Sequence, residues 1–206
     1  KSTTRILIKE NNISNNKELT ELGGNSNLLT VLDVSNNTKL YKLNCSQNSL
    51  TELNINQNTA LKYLYCANNT LTALDISSNI LLYELSCSNN SLTDLDISKN
   101  TALKKVYCYN NNFSTEALDD IFCSLPERQS SDQAKIYPLY NSNDAGYSTV
   151  MATNKQNAIT KNWKVQYGSG GDIPATTGNH ICRVSATVTT SDATDVAKTT
   201  ATLNGA

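Results

Sequence analysis

Residues 61–81 read LKYLYCANNTLTALDISSNIL. Two related phrases lie inside this stretch, Leu61-Lys62-Tyr63-Leu64-Tyr65-Cys66 and Leu71-Thr72-Ala73-Leu74-Asp75-Ile76-Ser77. The core of each alternates apolar and polar residues, the period of a half-buried strand. An asparagine closes each phrase, Asn69 and Asn79. That side chain satisfies free backbone groups in turns. Working outward, the phrase-opening leucines recur at Leu19, Leu29, Leu40, Leu50, Leu61, Leu71, Leu82, Leu92 and Leu103, in steps that alternate 10 and 11. The full repeat is therefore 21 residues and contains both phrases. A weaker copy opens at Ile8, with Ile13 and Asn16 in register and Asn11 where a leucine belongs.

One such repeat cannot bury its own apolar face, so stacked neighbours must supply the core. Two strand phrases per repeat imply two strands per coil, with rungs about 4.8 Å apart. Asn27, Asn48, Asn69, Asn90 and Asn111 are expected to stack in one ladder, and Asn37, Asn58, Asn79 and Asn100 in another on the opposite side. Cys45, Cys66, Cys87 and Cys108 recur at one inward position, where the first repeat has Gly24. They read as buried free thiols acting as small hydrophobes. Cys123 and Cys182 lie outside the ladder and could pair with each other.

The pattern resembles the leucine-rich-repeat family, in particular its nested short-repeat type. Its Asn-rich units look like those of surface and secreted proteins from Gram-negative gut bacteria. The resemblance covers residues 19–111 and implies a β-solenoid-like leucine-rich repeat: 21-residue coils, two parallel strands per coil, and an α/β C-terminal cap. It also implies recognition by an exposed strand face, at the cell surface or outside the cell.

Beyond Asn112 the pattern changes. Ser114–Leu125 reads as a helix with Ser114 as N-cap, Leu118, Ile121, Phe122 and Leu125 on one face, and Pro126 as its stop. A strand over Lys135–Tyr140, a second helix over Thr149–Ile159 and a strand over Trp163–Tyr167 complete the expected cap, with Trp163 in its core. The expected domains are thus a degenerate first repeat over 1–18, the repeats over 19–111 and a cap over 112–168. A linker follows over 169–183, flexible by its Gly168-Ser169-Gly170-Gly171 composition. The Thr-rich stretch 184–206 resembles the opening strands of a fibronectin type III-like domain, and two strands of seven imply that the native protein continues past Ala206.

Composition narrows the function. The net charge is −1 with no basic cluster along the chain, which argues against nucleic acid and polybasic membrane contact. No apolar run is long enough to span a bilayer. The lone His180 sits beside Ile181 and Cys182, and there is no CxxC, no HExxH and no phosphate-binding glycine loop. The reading is a protein without catalysis or cofactor. One acidic ladder, Asp33, Asn54, Asp75 and Asp96, has oxygen ligands suited to calcium. The preferred reading is a solvated polar face with these aspartates bonding to neighbouring serines, threonines or backbone amides, and no metal.

The opposite face carries the candidate binding residues: Tyr63, Tyr65, Glu84, Lys105, Tyr107 and Tyr109, with Lys42 among them. Tyr41, Lys62, Tyr83 and Lys104 form a further column just before the strands. Tyrosine offers large contact area at low entropic cost and a hydrogen-bonding hydroxyl. A protein ligand is the first expectation. A glycan stacked on the tyrosines, or a rigid spacer between other modules, are the alternatives.

Overall fold

The computed structural model describes Ile13 and residues 15–182. Most of the degenerate first repeat and the Thr-rich stretch from Val184 lie outside the described residues.

Each cysteine phrase forms one short strand: β1 (Glu21–Gly23), β2 (Lys42–Asn44), β3 (Tyr63–Tyr65), β4 (Glu84–Ser86) and β5 (Lys105–Tyr107). The cap adds β6 (Lys135–Leu139) and β7 (Lys164–Tyr167). All seven pair in parallel, in chain order, as one sheet. In the five repeat strands the central residue is buried and its two neighbours are half-buried, the alternation that the sequence pattern requires. Successive coils stack Leu61, Leu64, Cys66, Leu71, Leu74 and Ile76 and their counterparts into a continuous core. The four ladder cysteines are buried free thiols. Burial raises the pKa of all four, those of Cys45 and Cys87 to about 12, so the unreactive thiol form persists.

The expectation of two strands per coil is corrected. The solenoid stands, but the LDIS phrases form turns and extended backbone without strand pairing. Their hydrogen-bonding groups go elsewhere. Asp33, Asn54, Asp75 and Asp96 accept from the backbone N–H two residues on, at 2.8–3.1 Å. The chain then turns twice through its asparagine: Asn58 N–H donates to Ile55 carbonyl, and Leu61 N–H to Asn58 carbonyl. With those donors engaged locally, sheet pairing between coils is left to the cysteine side.

Asparagine side chains cross between coils on both sides. The Asn58 amide donates to the Val34 and Asn37 carbonyls of the preceding coil, and Asn37, Asn79 and Asn100 repeat the pattern. Asn69 does more. Its amide group donates to Cys66 in its own coil and to Cys45 in the coil before, and its oxygen accepts from Leu50 N–H. Asn48, Asn90 and Asn111 make the same three contacts. The residue before each of these asparagines, Gln47, Asn68, Asn89 or Asn110, is left-handed. Asparagine tolerates that conformation better than most residues.

The cap opens with α1 (Thr115–Ser124), whose N-cap Ser114 accepts from Ala117 N–H at 3.1 Å. Leu118, Ile121 and Phe122 face inward, and Trp163 is 2% exposed with its indole N–H on the Pro126 carbonyl. The second helix divides into α2 (Tyr147–Met151) and α3 (Gln156–Ile159). The break falls where buried Thr153 bonds back to Val150 and where Asp119 of α1 accepts from Asn154 N–H.

The segment expected to be a flexible linker is a strap packed on the cap. Ile173 is 1% exposed, its N–H bonds Val165, and Asp172 bridges Gln166 in antiparallel sense along the outer edge of β7. Thr177 and Gly178 bond Met151 and Thr153, and Asn154 and Asn157 both donate to the His180 carbonyl. A Cys123–Cys182 disulfide ties the strap to α1 across 59 residues of chain.

Three predictions follow from these contacts. Asn69→Ala strips the buried Cys45, Cys66 and Leu50 backbone groups of a partner. At about 1–3 kcal/mol per unmade bond, the loss is at least about 3 kcal/mol by chemical denaturation. An unchanged midpoint would refute the ladder. Cys123→Ser/Cys182→Ser removes a cross-link whose loop-closure contribution is on the order of 4 kcal/mol, so the cap melts earlier than the oxidised protein; equal melting curves would show the cross-link idle. Hydrogen bonds from Ser35, Ser77 and Ser98 hold the Asp33, Asp75 and Asp96 carboxyls below their ordinary pKa. That stabilisation is present above the unfolded carboxyl pKa, about 3.9, and is lost as pH falls through the lowered folded values. Substituting all three by Asn, as Asn54 already is, should flatten the acid limb of the stability curve.

Candidate functional site

The sheet brings the candidate residues into columns. Register places Glu21, Lys42, Tyr63, Glu84, Lys105, Lys135 and Lys164 in line across β1 to β7. Two residues along, Asn44, Tyr65, Ser86, Tyr107 and Tyr137 form the next column. Tyr63, Glu84 and Lys105 thus share one line, and Tyr65 and Tyr107 the other. Tyr109 lies past the end of β5, its ring tilted against Tyr140 at 5.4 Å. Gly168 supports that pair: a Cβ there would come within 2.9 Å of the Tyr109 ring, so the close approach needs glycine.

The face is only half-exposed because its side chains pack on one another. Tyr107 and Tyr137 stack with centroids 4.3 Å apart and planes 7° from parallel. Tyr63 meets Tyr83 at 6.0 Å, and Lys104 lies 5.8 Å over the Tyr83 ring while pairing with Asp132 at 2.7 Å. The Tyr41 hydroxyl donates to Glu21. Glu84 sits 3.9 Å from Lys105. Burial, then the nearby Glu84 carboxylate, pushes the Tyr65 hydroxyl up to about 12; burial, then Tyr107, does the same to Tyr137. Both phenols therefore stay protonated and remain hydrogen-bond donors.

Sequence reasoning missed Lys135, Tyr137, Tyr140 and Lys164 as members of this face. The signal was present: Lys135-Ile136-Tyr137 repeats Lys105-Val106-Tyr107, and Lys164-Val165-Gln166 follows the same form. It was obscured because the spacing between the strands leaves the 21-residue period once α1 is inserted.

On the opposite side, a groove of about 450 Å³ runs along Leu32, Asp33, Leu53, Asn54 and Asp75. The acidic ladder is there, its Asp33, Asp75 and Asp96 oxygens bonded to the serine N–H groups described above. Among the described residues no cluster of His, Cys, Asp or Glu is arranged to hold a metal ion. His180 on the strap lies 3.9 Å from Asp120 of α1.

No family model and no curated protein matches this sequence. Solved structures do. The functional domain of InlJ from Listeria monocytogenes, described as including a cysteine ladder, is 27% identical with a TM-score of 0.54; the match covers 75% of this chain and 37% of that one. A leucine-rich-repeat protein of Leptospira interrogans aligns over 81% of this chain and 40% of its own, at 18% identity and a TM-score of 0.55. An internalin, InlF, of Listeria monocytogenes is 24% identical with a TM-score of 0.46, over 50% of this chain and 32% of that one. The chain spans less than half the length of each. With its 21-residue coils, parallel sheet and likeness to the InlJ and Leptospira structures, the chain is a leucine-rich-repeat solenoid.

Proposed function

We propose that this chain is a non-catalytic extracellular recognition module that binds a protein through its tyrosine-bearing strand face. The observation that carries the reading is the pair of columns, Tyr63, Glu84 and Lys105 in one and Tyr65 and Tyr107 in the other, on strands held in fixed register. Aromatic residues mixed with single charges match the composition of interface cores and their rims. A sheet locked by its ladders presents them without an ordering cost at the moment of binding. The likeness to internalin structures supports an interaction module.

The glycan alternative relies on open ring faces. Tyr107 and Tyr137 turn a face toward each other, and Tyr109 packs on Tyr140. Much of the aromatic surface a sugar ring would need is thereby occupied, so the protein reading is preferred.

A binding screen against immobilised extracellular proteins and glycans tests this. A protein ligand should be lost when Tyr63, Tyr65, Tyr107 and Tyr109 are changed to alanine. Truncating central aromatic anchors costs about 2 kcal/mol or more, roughly thirtyfold. Since Tyr107→Ala also breaks a ring stack, the Tyr63→Ala/Tyr65→Ala double variant is measured beside it with melting curves for both. A ligand that both variants keep at full affinity would refute this face.

A further inference from the structure

We propose that the recognition face continues onto the cap as a cationic stripe, Lys105, Lys135 and Lys164, which takes an extended acidic segment of the protein partner. The inference rests on the strand face being the recognition surface and names the chemistry of what it recognises.

The three lysines are 30 and 29 residues apart along the chain, which is why the sequence shows no basic cluster. Parallel pairing of β5, β6 and β7 sets them side by side in one register line. Adjacent strands lie about 4.8 Å apart, so the stripe spans roughly 10 Å. Like charges at facing positions on neighbouring strands are unfavourable, and among the described residues an ion pair relieves only the Lys105 end. Glu84 lies at one end, 3.9 Å from Lys105. Among the described residues Lys164 has no ion pair, and its ammonium donates to the neutral Gln133 at 2.9 Å. Among the described residues Lys135 has no ion pair, and the nearby Asp132 is taken by Lys104 at 2.7 Å. An outside anion is the missing counter-charge.

The tyrosines beside the stripe point to carboxylates. Tyr137 keeps its proton, as the raised pKa shows, and its ring is stacked on Tyr107. Lysine ammonium groups and phenol hydroxyls together make a donor-rich strip with few acceptors. An extended peptide bearing Asp or Glu on one face supplies the acceptors. Since the whole chain carries a charge of −1, the attraction is local to this strip, which favours register and choice of partner over bulk attraction.

The test uses the whole chain and two labelled peptides, one alternating glutamate with glycine and one alternating glutamine with glycine, read by fluorescence anisotropy at low salt and at ~0.15 M. The glutamate peptide should bind, weaken severalfold with salt, and exceed the glutamine peptide. Lys105→Gln/Lys135→Gln/Lys164→Gln should reduce its affinity by about tenfold or more, the combined effect of three exposed charge contacts, without lowering the melting midpoint, because neutralisation relieves repulsion. The proposal is overturned if the wild type binds both peptides alike or neither. It is equally overturned if the glutamine variant binds the acidic peptide as tightly as the wild type, or if an oligogalacturonate of equal charge binds more tightly than the peptide. Failure of the underlying reading looks different: there, a screened protein ligand survives alanine at the tyrosines.

Discussion

Every coil of this protein must dispose of backbone groups buried at two turns, and asparagine does it. A carboxamide carries two donors and an acceptor on a short stem, so it can serve its own coil and the coil before it at once. Asn69 does both, with its amide group on Cys45 and Cys66 and its oxygen on Leu50 N–H. Leucine at that position would leave the same groups unpaired inside the core, and aspartate would remove the donors. The apolar stack supplies cohesion, but these bonds fix the distance and register at which coils meet. The columns of tyrosine and lysine on the sheet inherit their alignment from that register.

The two sides of the coil solve the same problem differently. On the cysteine side, main chain bonds main chain, giving a sheet. On the LDIS side, aspartates close local turns and asparagine side chains reach across. The asymmetry separates the surfaces chemically. The sheet side is backed by a continuous hydrogen-bonded ladder and carries aromatic and cationic groups; the turn side carries carboxylates already engaged by their own backbone.

Much of this was legible in the sequence. The 21-residue period located every buried leucine in the array, both asparagine ladders and the buried cysteines, and the serine before an amphipathic run located the N-cap of α1. That the LDIS phrase forms no second strand was not legible, because Leu74-Asp75-Ile76 alternates as a strand does whether or not its N–H groups are free to pair; Asp75 decides that by binding Ser77 N–H. Nor was the strap: Gly170 and Gly171 read as slack by composition, but both adopt positive φ in a tight reversal that returns the chain along β7. At the candidate site, Tyr63 to Tyr109 could be placed from the period alone. Lys135 and Lys164 could not, because contact between β5, β6 and β7 depends on how α1 and α2–α3 fold back, which is a tertiary matter.

The reach of the ladder bonds has a consequence for how such a chain changes length. Each crosses 19, 21 or 24 residues, always to the adjacent coil and never further. Inserting or deleting one whole unit therefore recreates every contact at the seam, while an insertion of any other size within a repeat puts leucines where asparagines must be. Duplication in units of 21 is the change this architecture absorbs without repair. A lineage can thereby lengthen or shorten its sheet face by discrete rungs while the cap, its strap and its cross-link stay as they are.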